Sequence, residues 1–358
     1  MDIKNHPRNI LQPEWIETLR NYAKVAEQSG QLHPKQLSLI VEQGWFKALV
    51  AKEFSGLEWP LPQAVIFEEA IGWANGSVGW VFTLCCGAGW FSGFLDKTFA
   101  QQIFKNDRVC LAGSGASSGI AHVLENGDYL ISGEWSHASG APHATVFTAN
   151  CFVEEEDKIK AFCFLKEEVS IIKTWNTVGL IASASESFSV GNILVPKERC
   201  FEIDAIKAIV ESPLYQYPFR QLAECTIAAN ISGMALHFME ECEAYFKQKN
   251  YKEGVLWKNE KLQSVFQKET SNWLSARNKM FDSVEKSWQC LLEENKISDN
   301  LLKEVSLSSQ EVVKVCRHLV NNLYAFTGLT GARINNSLNQ VWRDFQTGSQ
   351  HAIFIDLD

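Results

Sequence analysis

The chain has 358 residues, of which 46% are hydrophobic and 21% charged, a composition typical of a folded globular protein with a sizeable core. Its formal net charge of −9 argues against nucleic acid as a partner, because phosphate contacts need clustered Lys and Arg. We find no signal peptide, no apolar run of about 18 residues and no metal-ligand spacing among the ten cysteines, so we expect a cytoplasmic protein with free thiols, no metal site and no membrane span.

Residues 1 to 106 are predicted to form an N-terminal helical domain. Pro13 begins one predicted helix that runs to about Ser29, because proline is favoured in the first turn of a helix. Another begins at Leu61 and carries apolar residues at three- and four-residue spacing. Ser77 is a candidate N-cap of the apolar, glycine-containing helix that follows.

Residues 107 to 203 change to the alternating pattern of strands. Short segments such as DYLISGEW, ATVFTANCFV and KIKAFCFL are rich in β-branched and aromatic residues, and turn residues separate them. The sequence ENGD at 125 to 128 is a strong hairpin signal, and the acidic run EEEDK at 154 to 158 is interpreted as a second turn. We therefore predict a mostly antiparallel sheet in the middle of the chain.

Residues 204 to 358 return to a helical pattern. The predicted helices span 214–249, 256–294, 299–327 and 337–348, and Gly and Asn lie between them. Long helices joined by short connections pack antiparallel, so a C-terminal helical bundle is expected.

The chain thus runs from helices through a sheet to helices again, and three motifs occur along it. They are the segment from Ala51 to Phe82, the strand GDYLISGEW, and the segment TWNTVGLIASASESFSVGNILVPKERCF. Together they resemble the acyl-CoA dehydrogenase superfamily over nearly the whole chain. The resemblance implies an α+β fold with an N-terminal helical domain, a middle β-barrel and a C-terminal four-helix bundle, with a flavin held between barrel and bundle.

Two further motifs are GEWSHASGAPHA, from Gly133 to Ala144, and LNQVWRDFQTGSQH, from Leu338 to His351. They resemble patterns of the flavin-dependent monooxygenases of two-component systems, which share this fold. That resemblance implies a flavin, FAD or FMN, that a separate flavin reductase supplies in reduced form. It also implies O₂ as oxidant, hydroxylation of an aromatic or related small molecule, and a homotetramer.

The same resemblance assigns roles to single residues. His351 would be catalytic, because an imidazole can hydrogen-bond a substrate hydroxyl or the oxygen-reacted flavin and titrates near working pH. Ser139 would be catalytic and would also bind the flavin edge near N5, since a hydroxyl donates or accepts without adding charge. Trp135 would form an apolar wall beside the flavin. The predicted Gly/Ser loop would hold the flavin through its backbone N–H groups and hydroxyls at Gly113, Ser114 and Gly115.

Two alternatives stay open. Acyl-CoA dehydrogenases use a Glu eight residues after an Arg-Asp pair as base, and the matching position after Asp344 is Ala352, which cannot accept a proton. A displaced base on the first bundle helix, close to Glu224, would allow dehydrogenase chemistry. In many dehydrogenases an Arg-Phe-Gly motif binds the flavin pyrophosphate of the neighbouring subunit. The comparable stretch here, YKEGVLWKNEKLQ, lacks that motif, so a degenerate, non-catalytic member is the third possibility.

Overall fold

The computed structural model describes residues 6–251 and 254–355. Helices at both ends of the chain flank one central sheet of seven strands. This α+β order is the one that the sequence predicts, and it is confirmed.

From residue 6 onward, the N-terminal part contains seven α-helices: α1 (Pro7–Ile10), α2 (Pro13–Asn21), α3 (Ala23–Ser29), α4 (Pro34–Glu42), α5 (Leu61–Ala74), α6 (Gly76–Gly89) and α7 (Lys97–Phe104). The single helix predicted from Pro13 to Ser29 is in fact two, because Tyr22 leaves helical geometry with φ −97° and ψ 1°. The Tyr22 ring stacks on His33 with 4.1 Å between the ring centroids. The break therefore coincides with a contact to the start of α4.

The N-cap of α6 differs from the prediction. Asn75, not Ser77, precedes the helix in extended geometry, and its side chain accepts a hydrogen bond from the N–H of Val78 over 2.9 Å. Ser77 lies inside the first turn and is buried. Asn is as good a cap as Ser, so two adjacent candidates could not be separated by residue type alone.

The central sheet is formed by β1 (Leu111–Val123), β2 (Tyr129–Ala138), β3 (Val146–Val153), β4 (Lys158–Leu165), β5 (Ser170–Ile172), β6 (Glu186–Val195) and β7 (Cys200–Phe201). The spatial order is β5-β6-β2-β1-β3-β4-β7. Strands β1 and β3 pair in parallel, and the other pairs are antiparallel. Within the described residues β5 and β7 stand at opposite edges, so the sheet is established but its closure into a barrel is not.

Both predicted turns are confirmed. The ENGD segment connects β1 to β2, and Gly127 takes the left-handed φ of +85° that glycine adopts without steric cost. The acidic segment connects β3 to β4 through a 3₁₀ turn at Glu154–Glu156 followed by Asp157 at φ 52°.

The C-terminal part contains α8 (Pro213–Gln216), α9 (Phe219–Gln248), α10 (Glu260–Glu294), α11 (Asp299–Tyr324) and α12 (Ser337–Gly348), with a short strand pair, β8 (Asn250–Tyr251) and β9 (Gly254–Val255), after α9. Helix α9 lies against α5 so closely that a Cβ on Gly233 would stand 2.0 Å from the carbonyl oxygen of Glu69. Arg277 of α10 donates to both carboxylate oxygens of Glu69 over 2.5 to 2.9 Å. This buried pair joins the N-terminal helices to the C-terminal ones.

The interior is rich in thiols. All ten cysteines are free, and eight of them are buried. Burial raises the pKa of several of these thiols, including Cys151 to about 12 and Cys200 to about 11. No helix in the described part of the chain is long and apolar enough to cross a membrane.

Candidate active site

His351 lies just beyond α12, where it caps a short 3₁₀ helix, Ala352–Phe354. The N–H of Ile353 donates to Nδ1 of the imidazole over 3.3 Å. The edge of the ring meets Trp80 of α6, with 5.8 Å between ring centroids. Burial lowers the pKa of His351, and the neighbouring His137 lowers it further. The residue is therefore an ordered, half-buried neutral imidazole and not a frayed terminal side chain.

The helix that presents His351 is anchored through Arg343 and Asp344. Asp344 accepts a hydrogen bond from the N–H of Leu180 over 2.6 Å, and Arg343 donates to the carbonyl of Val178 over 2.6 Å. Arg343 also pairs with Glu27 of α3. Burial raises the pKa of the Asp344 carboxyl to about 7. These contacts hold α12 against the segment that follows β5.

Ser139 directly follows β2 and is almost completely buried, with 4% of its surface exposed. Its hydroxyl oxygen lies 2.8 Å from that of Ser185, which lies 2.8 Å from the hydroxyl of Ser183. The carbonyl of Ser139 accepts a hydrogen bond from the Cys85 thiol over 3.4 Å. Three hydroxyls thus form a continuous chain that begins at Ser139.

Two cavities meet at Leu84 and Ser139. The larger, of about 740 Å³, lies between α6, the segment after β5 and the end of α12, and both Ser139 and His351 line it. The smaller, of about 170 Å³, lies between β1, β3 and the facing surfaces of α6 and α9. Gly113, Ser114 and Gly115 line the smaller cavity. The structure thus brings together the two residues expected to be catalytic and sets the Gly/Ser segment beside one of them.

The Gly/Ser segment is not a loop, as the sequence suggested, but part of β1. A Cβ on Gly113 would stand 2.1 Å from the Thr148 hydroxyl, so only glycine lets β1 approach β3 this closely. The register between the two strands shifts between Ser114 and Gly119, and Gly115 faces open space. The backbone is therefore accessible here although it belongs to a strand.

Trp135 does not join the site. It is 1% exposed in the core of the sheet, where it stacks on Phe188 with 5.2 Å between ring centroids. Its indole N–H donates to the carbonyl of Asn150 over 2.9 Å. Trp135 lines neither cavity, so its position does not support the expected role as a flavin wall. Outward and inward faces alternate along a strand, and Trp135 falls on the inward one.

The comparisons with known proteins agree with this arrangement. The family described as "Acyl-CoA dehydrogenase, C-terminal domain" matches residues 225–355. The indole-3-acetate monooxygenase of Pseudomonas putida is 23% identical over 96% of this chain and 89% of its own length. The flavin-dependent monooxygenase oxygenase subunit HsaA of Rhodococcus jostii is 23% identical over 94% of this chain and 92% of its own.

Over nearly its whole length, the chain resembles the flavin-dependent monooxygenases that share the acyl-CoA dehydrogenase fold.

Solved structures share the fold of this chain at low identity. The 3-HSA hydroxylase of Rhodococcus sp. RHA1 superposes with a TM-score of 0.87 at 21% identity, over 95% of this chain and 91% of that one. XiaF from Streptomyces sp., solved with FADH2, superposes with a TM-score of 0.85 at 16% identity, over 95% of this chain and 91% of that one. TdsC from Paenibacillus sp. A11-2, solved with FMN and indole, superposes with a TM-score of 0.81 at 17% identity, over 94% of this chain and 91% of that one.

The residues of the candidate active site fit a flavin. Ser139 offers a buried hydroxyl where the two cavities meet, and Gly115 leaves the backbone of β1 open. Thr347 lines the larger cavity, and its buried hydroxyl has no hydrogen-bond partner among the described residues. A buried hydroxyl without a partner is costly, which is the situation expected where a polar ligand completes the site.

Three cavity residues were not foreseen as members of the site. Trp80, Trp175 and Thr347 line the larger cavity with His351. Thr347 could have been recognised, since it stands four residues before His351 and thus on the same side of the helix end. The two tryptophans carry no local signal, because residues far apart in the chain meet only after folding.

Glu224, the candidate displaced base, lies on α9 but lines neither cavity, although its neighbours Ala223 and Thr226 line the smaller one. The guanidinium of Arg220 donates to its carboxylate over 3.0 Å. Ala352 lines the larger cavity at the place where a dehydrogenase would keep its glutamate. No group of three or more metal-ligating side chains that could hold an ion occurs in the described ranges.

Proposed function

We propose that this chain is the oxygenase component of a two-component flavin-dependent monooxygenase, which hydroxylates an aromatic or related small molecule. One observation carries the proposal. His351 and Ser139 line a single cavity, and the position of the dehydrogenase base beside them is an alanine. The site thus offers a neutral proton donor and a hydroxyl, but no carboxylate base.

The flavin, FAD or FMN, would supply two electrons to O₂, so that one oxygen atom enters the substrate and the other leaves as water. The chain's own residues would hold it at three places. Ser139 would meet the edge of the ring, β1 would offer its open backbone from Gly113 to Gly115, and Thr347 would contribute its free hydroxyl. FADH2 in XiaF and FMN with indole in TdsC are compatible with either flavin.

His351 would act as a hydrogen-bond donor from Nε2. Nδ1 already accepts from the N–H of Ile353, so the proton of the neutral ring is on Nε2. Since burial lowers the pKa of His351, the ring stays neutral below the pH at which an exposed imidazole becomes charged. It can therefore orient a substrate hydroxyl without placing a full positive charge in the cavity.

Apolar side chains at the same cavity would keep water out. Trp80 and Leu84 of α6 face Trp175 across the larger cavity. The Trp175 indole N–H is already used, donating to the carbonyl of Leu180 over 2.9 Å. Exclusion of water favours oxygen transfer over wasteful release of hydrogen peroxide.

We also propose the assembly that the family resemblance implies. Domains at 1–106, 107–203 and 204–358 would build a homotetramer that works with a separate flavin reductase in the cytoplasm. HsaA is named an oxygenase subunit, which supports a separate reductase here.

A stopped-flow experiment tests the proposed function. The chain with reduced FMN or FAD is mixed with O₂, and the return of oxidised-flavin absorbance is followed together with the yield of hydrogen peroxide. We expect the chain to delay that return compared with free flavin. Identical traces with and without the chain would contradict the proposal. Bleaching of bound oxidised FAD by an acyl-CoA would favour dehydrogenase chemistry instead.

A further inference from the structure

The two cavities of the candidate active site share one chemical feature. Among the described residues that line them, none is Lys, Arg, Asp or Glu. Their polar groups are hydroxyls, amides and the imidazoles of His137 and His351. Another cavity in the same molecule, of about 770 Å³, is lined by Arg20, Lys24 and Glu27 among others. The lack of charge is thus a property of the active site and not of every cavity in this fold.

The cation at the start of α9 is already neutralised. Arg220 stands next to Phe219 in the chain, and Phe219 lines the smaller cavity. Its guanidinium donates to Glu224 over 3.0 Å, and 73% of its side chain is exposed to solvent. Glu224 itself is almost fully buried. Arg220 therefore pairs with a carboxylate of the protein and lines neither of the two cavities.

Charge in such a site is costly. A buried carboxylate without a cation or several hydrogen-bond donors loses its hydration and gains little in return. Specificity follows from this cost, because a site rejects a ligand whose charged group it cannot pair. A carboxylic acid such as an arylacetate is ionised at neutral pH, as a Glu side chain with its ordinary pKa of about 4.3 is.

We propose that the substrate is an uncharged aromatic compound and that aromatic acids are rejected. This inference rests on the proposed function and names the substrate class of the same site. The ring would lie against the helix side of the smaller cavity, which Gly87 and Ala88 of α6 line together with Ala223 and Thr226 of α9. Its hydroxyl would be directed past the junction at Leu84 and Ser139 toward His351 in the larger cavity. The substrate named for the Pseudomonas putida relative, indole-3-acetate, carries a carboxylate, so the substrate preference of this chain would differ.

Matched ligand pairs test the proposal. Indole, naphthalene and phenol are compared with their acetic acid derivatives by calorimetric titration at pH 7.5, with and without reduced FMN under anaerobic conditions. We expect at least one neutral parent to bind at least about tenfold more tightly than its acid. Equal or tighter binding of the acids would overturn the proposal, and so would failure of all three neutral parents to bind.

A charge-introducing variant supplies an independent arm. Ala223 is half-buried at the cavity, so a lysine there can reach the ligand while its stem covers apolar surface. Ala223→Lys is expected to shift the ratio of acid to neutral affinity by at least about tenfold toward the acid. Ala223→Met adds similar bulk without charge and should leave the ratio unchanged. An equal shift in both variants would contradict an electrostatic origin.

These measurements separate the inference from the proposed function. Ligand preference is measured without turnover, whereas the proposed function depends on the reaction of reduced flavin with O₂. A chain that prefers neutral rings but does not alter the flavin reaction would retain the inferred selectivity and lose the monooxygenase activity. A chain that delays flavin oxidation but prefers acids would support the proposed function and overturn the inferred selectivity.

Discussion

The N–H of Ile353 donates a hydrogen bond to Nδ1 of His351. The same contact caps the 3₁₀ helix Ala352–Phe354, so one bond fixes both the direction of the imidazole and the nitrogen that carries its proton. The cap thus occupies the Nδ1 side of the ring, and the proposed hydrogen-bond donor is Nε2 on the opposite side.

This division of the ring can be tested with two amides. His351→Asn places an oxygen near the position of Nδ1 and keeps the cap, but it removes the donor at Nε2. His351→Gln places an N–H near the position of Nε2 and loses the cap. We expect Asn to lower hydroxylated product per reduced flavin by about a hundredfold with little change in Tm. Gln should retain more product at a lower Tm.

Product is measured by chromatography, and hydrogen peroxide by a coupled assay. The Ala variant serves as the control, because it removes both cap and donor. Equal product from Asn and wild type would show that the Nε2 donor has no role.

Acid stability should reflect the buried histidine His143. Burial lowers the pKa of His143 to about 4, with the nearby Lys166 as a second cause. An unfolded histidine titrates at about 6.5, so below that pH the unfolded chain binds the extra proton. The stabilisation by neutral His143 is complete above pH 6.5 and is lost as pH falls toward 4.

We therefore expect the difference in free energy of unfolding between wild type and His143→Gln to be constant above about pH 6.5. Below that pH the wild type should lose stability relative to the variant, by up to about 1.4 kcal/mol per pH unit. Urea unfolding at several pH values between 7.5 and 5 measures it. Taking the difference cancels other titrating groups and any fixed cost of the substitution. A difference that is independent of pH would disprove the assignment.

The serine chain predicts a graded effect. Ser185→Ala removes the hydroxyl partner of Ser139, whereas Ser183→Ala removes only the next hydroxyl along the chain. A hydrogen bond of this kind contributes about 1 kcal/mol, so we expect Ser185→Ala to raise hydrogen peroxide per turnover several-fold. Ser183→Ala should raise it less. The reverse order would exclude a chain that acts through Ser139.

Thr347→Val should change stability and binding in opposite directions. The threonine hydroxyl is buried without a partner among the described residues, so replacing it by a methyl group of the same shape should raise the free energy of unfolding by about 1 kcal/mol. If a bound flavin uses that hydroxyl, affinity for reduced flavin should fall about tenfold. Thr347→Ser, which keeps the hydroxyl, is the control. If Thr347→Val binds reduced flavin as tightly as the wild type does, Thr347 is not part of the flavin site.

Sequence patterns were sufficient for the order of the elements and for most helix ends. The helix predicted over 256–294 is Glu260–Glu294 after a 3₁₀ turn, and the one predicted over 337–348 is Ser337–Gly348. These ends depend on local caps and on periodicity, which a sequence displays directly. The parallel pairing of β1 with β3 could not be predicted in this way, because strand pairing depends on contacts between distant residues.

The residues of the site likewise fall into those that local motifs predict and those that only tertiary packing reveals. His351 and Ser139 belong to motifs and could be named from the sequence, and they line one cavity. Trp135 belongs to the same motif as Ser139 yet lies in the sheet core. The two would share a face of a regular strand, but the strand register shifts between Trp135 and Ala138, where His137 takes a φ of 66°. Trp80 and Trp175 reach the cavity from separate parts of the chain, and only the tertiary packing brings them together.

The thiol-rich interior has a bearing on self-damage. A monooxygenase that loses its oxygen prematurely releases hydrogen peroxide inside its own cavity, and peroxide attacks thiolates far more readily than thiols. The Cys85 thiol donates a hydrogen bond to the carbonyl of Ser139, which lines both cavities, so this sulfur atom lies close to the place where peroxide would be released. Its pKa is raised by a hydrogen bond with Cys110 and by burial, and the Sγ proton stays in place. Cys85 is thus kept in the thiol form, which reacts slowly with peroxide.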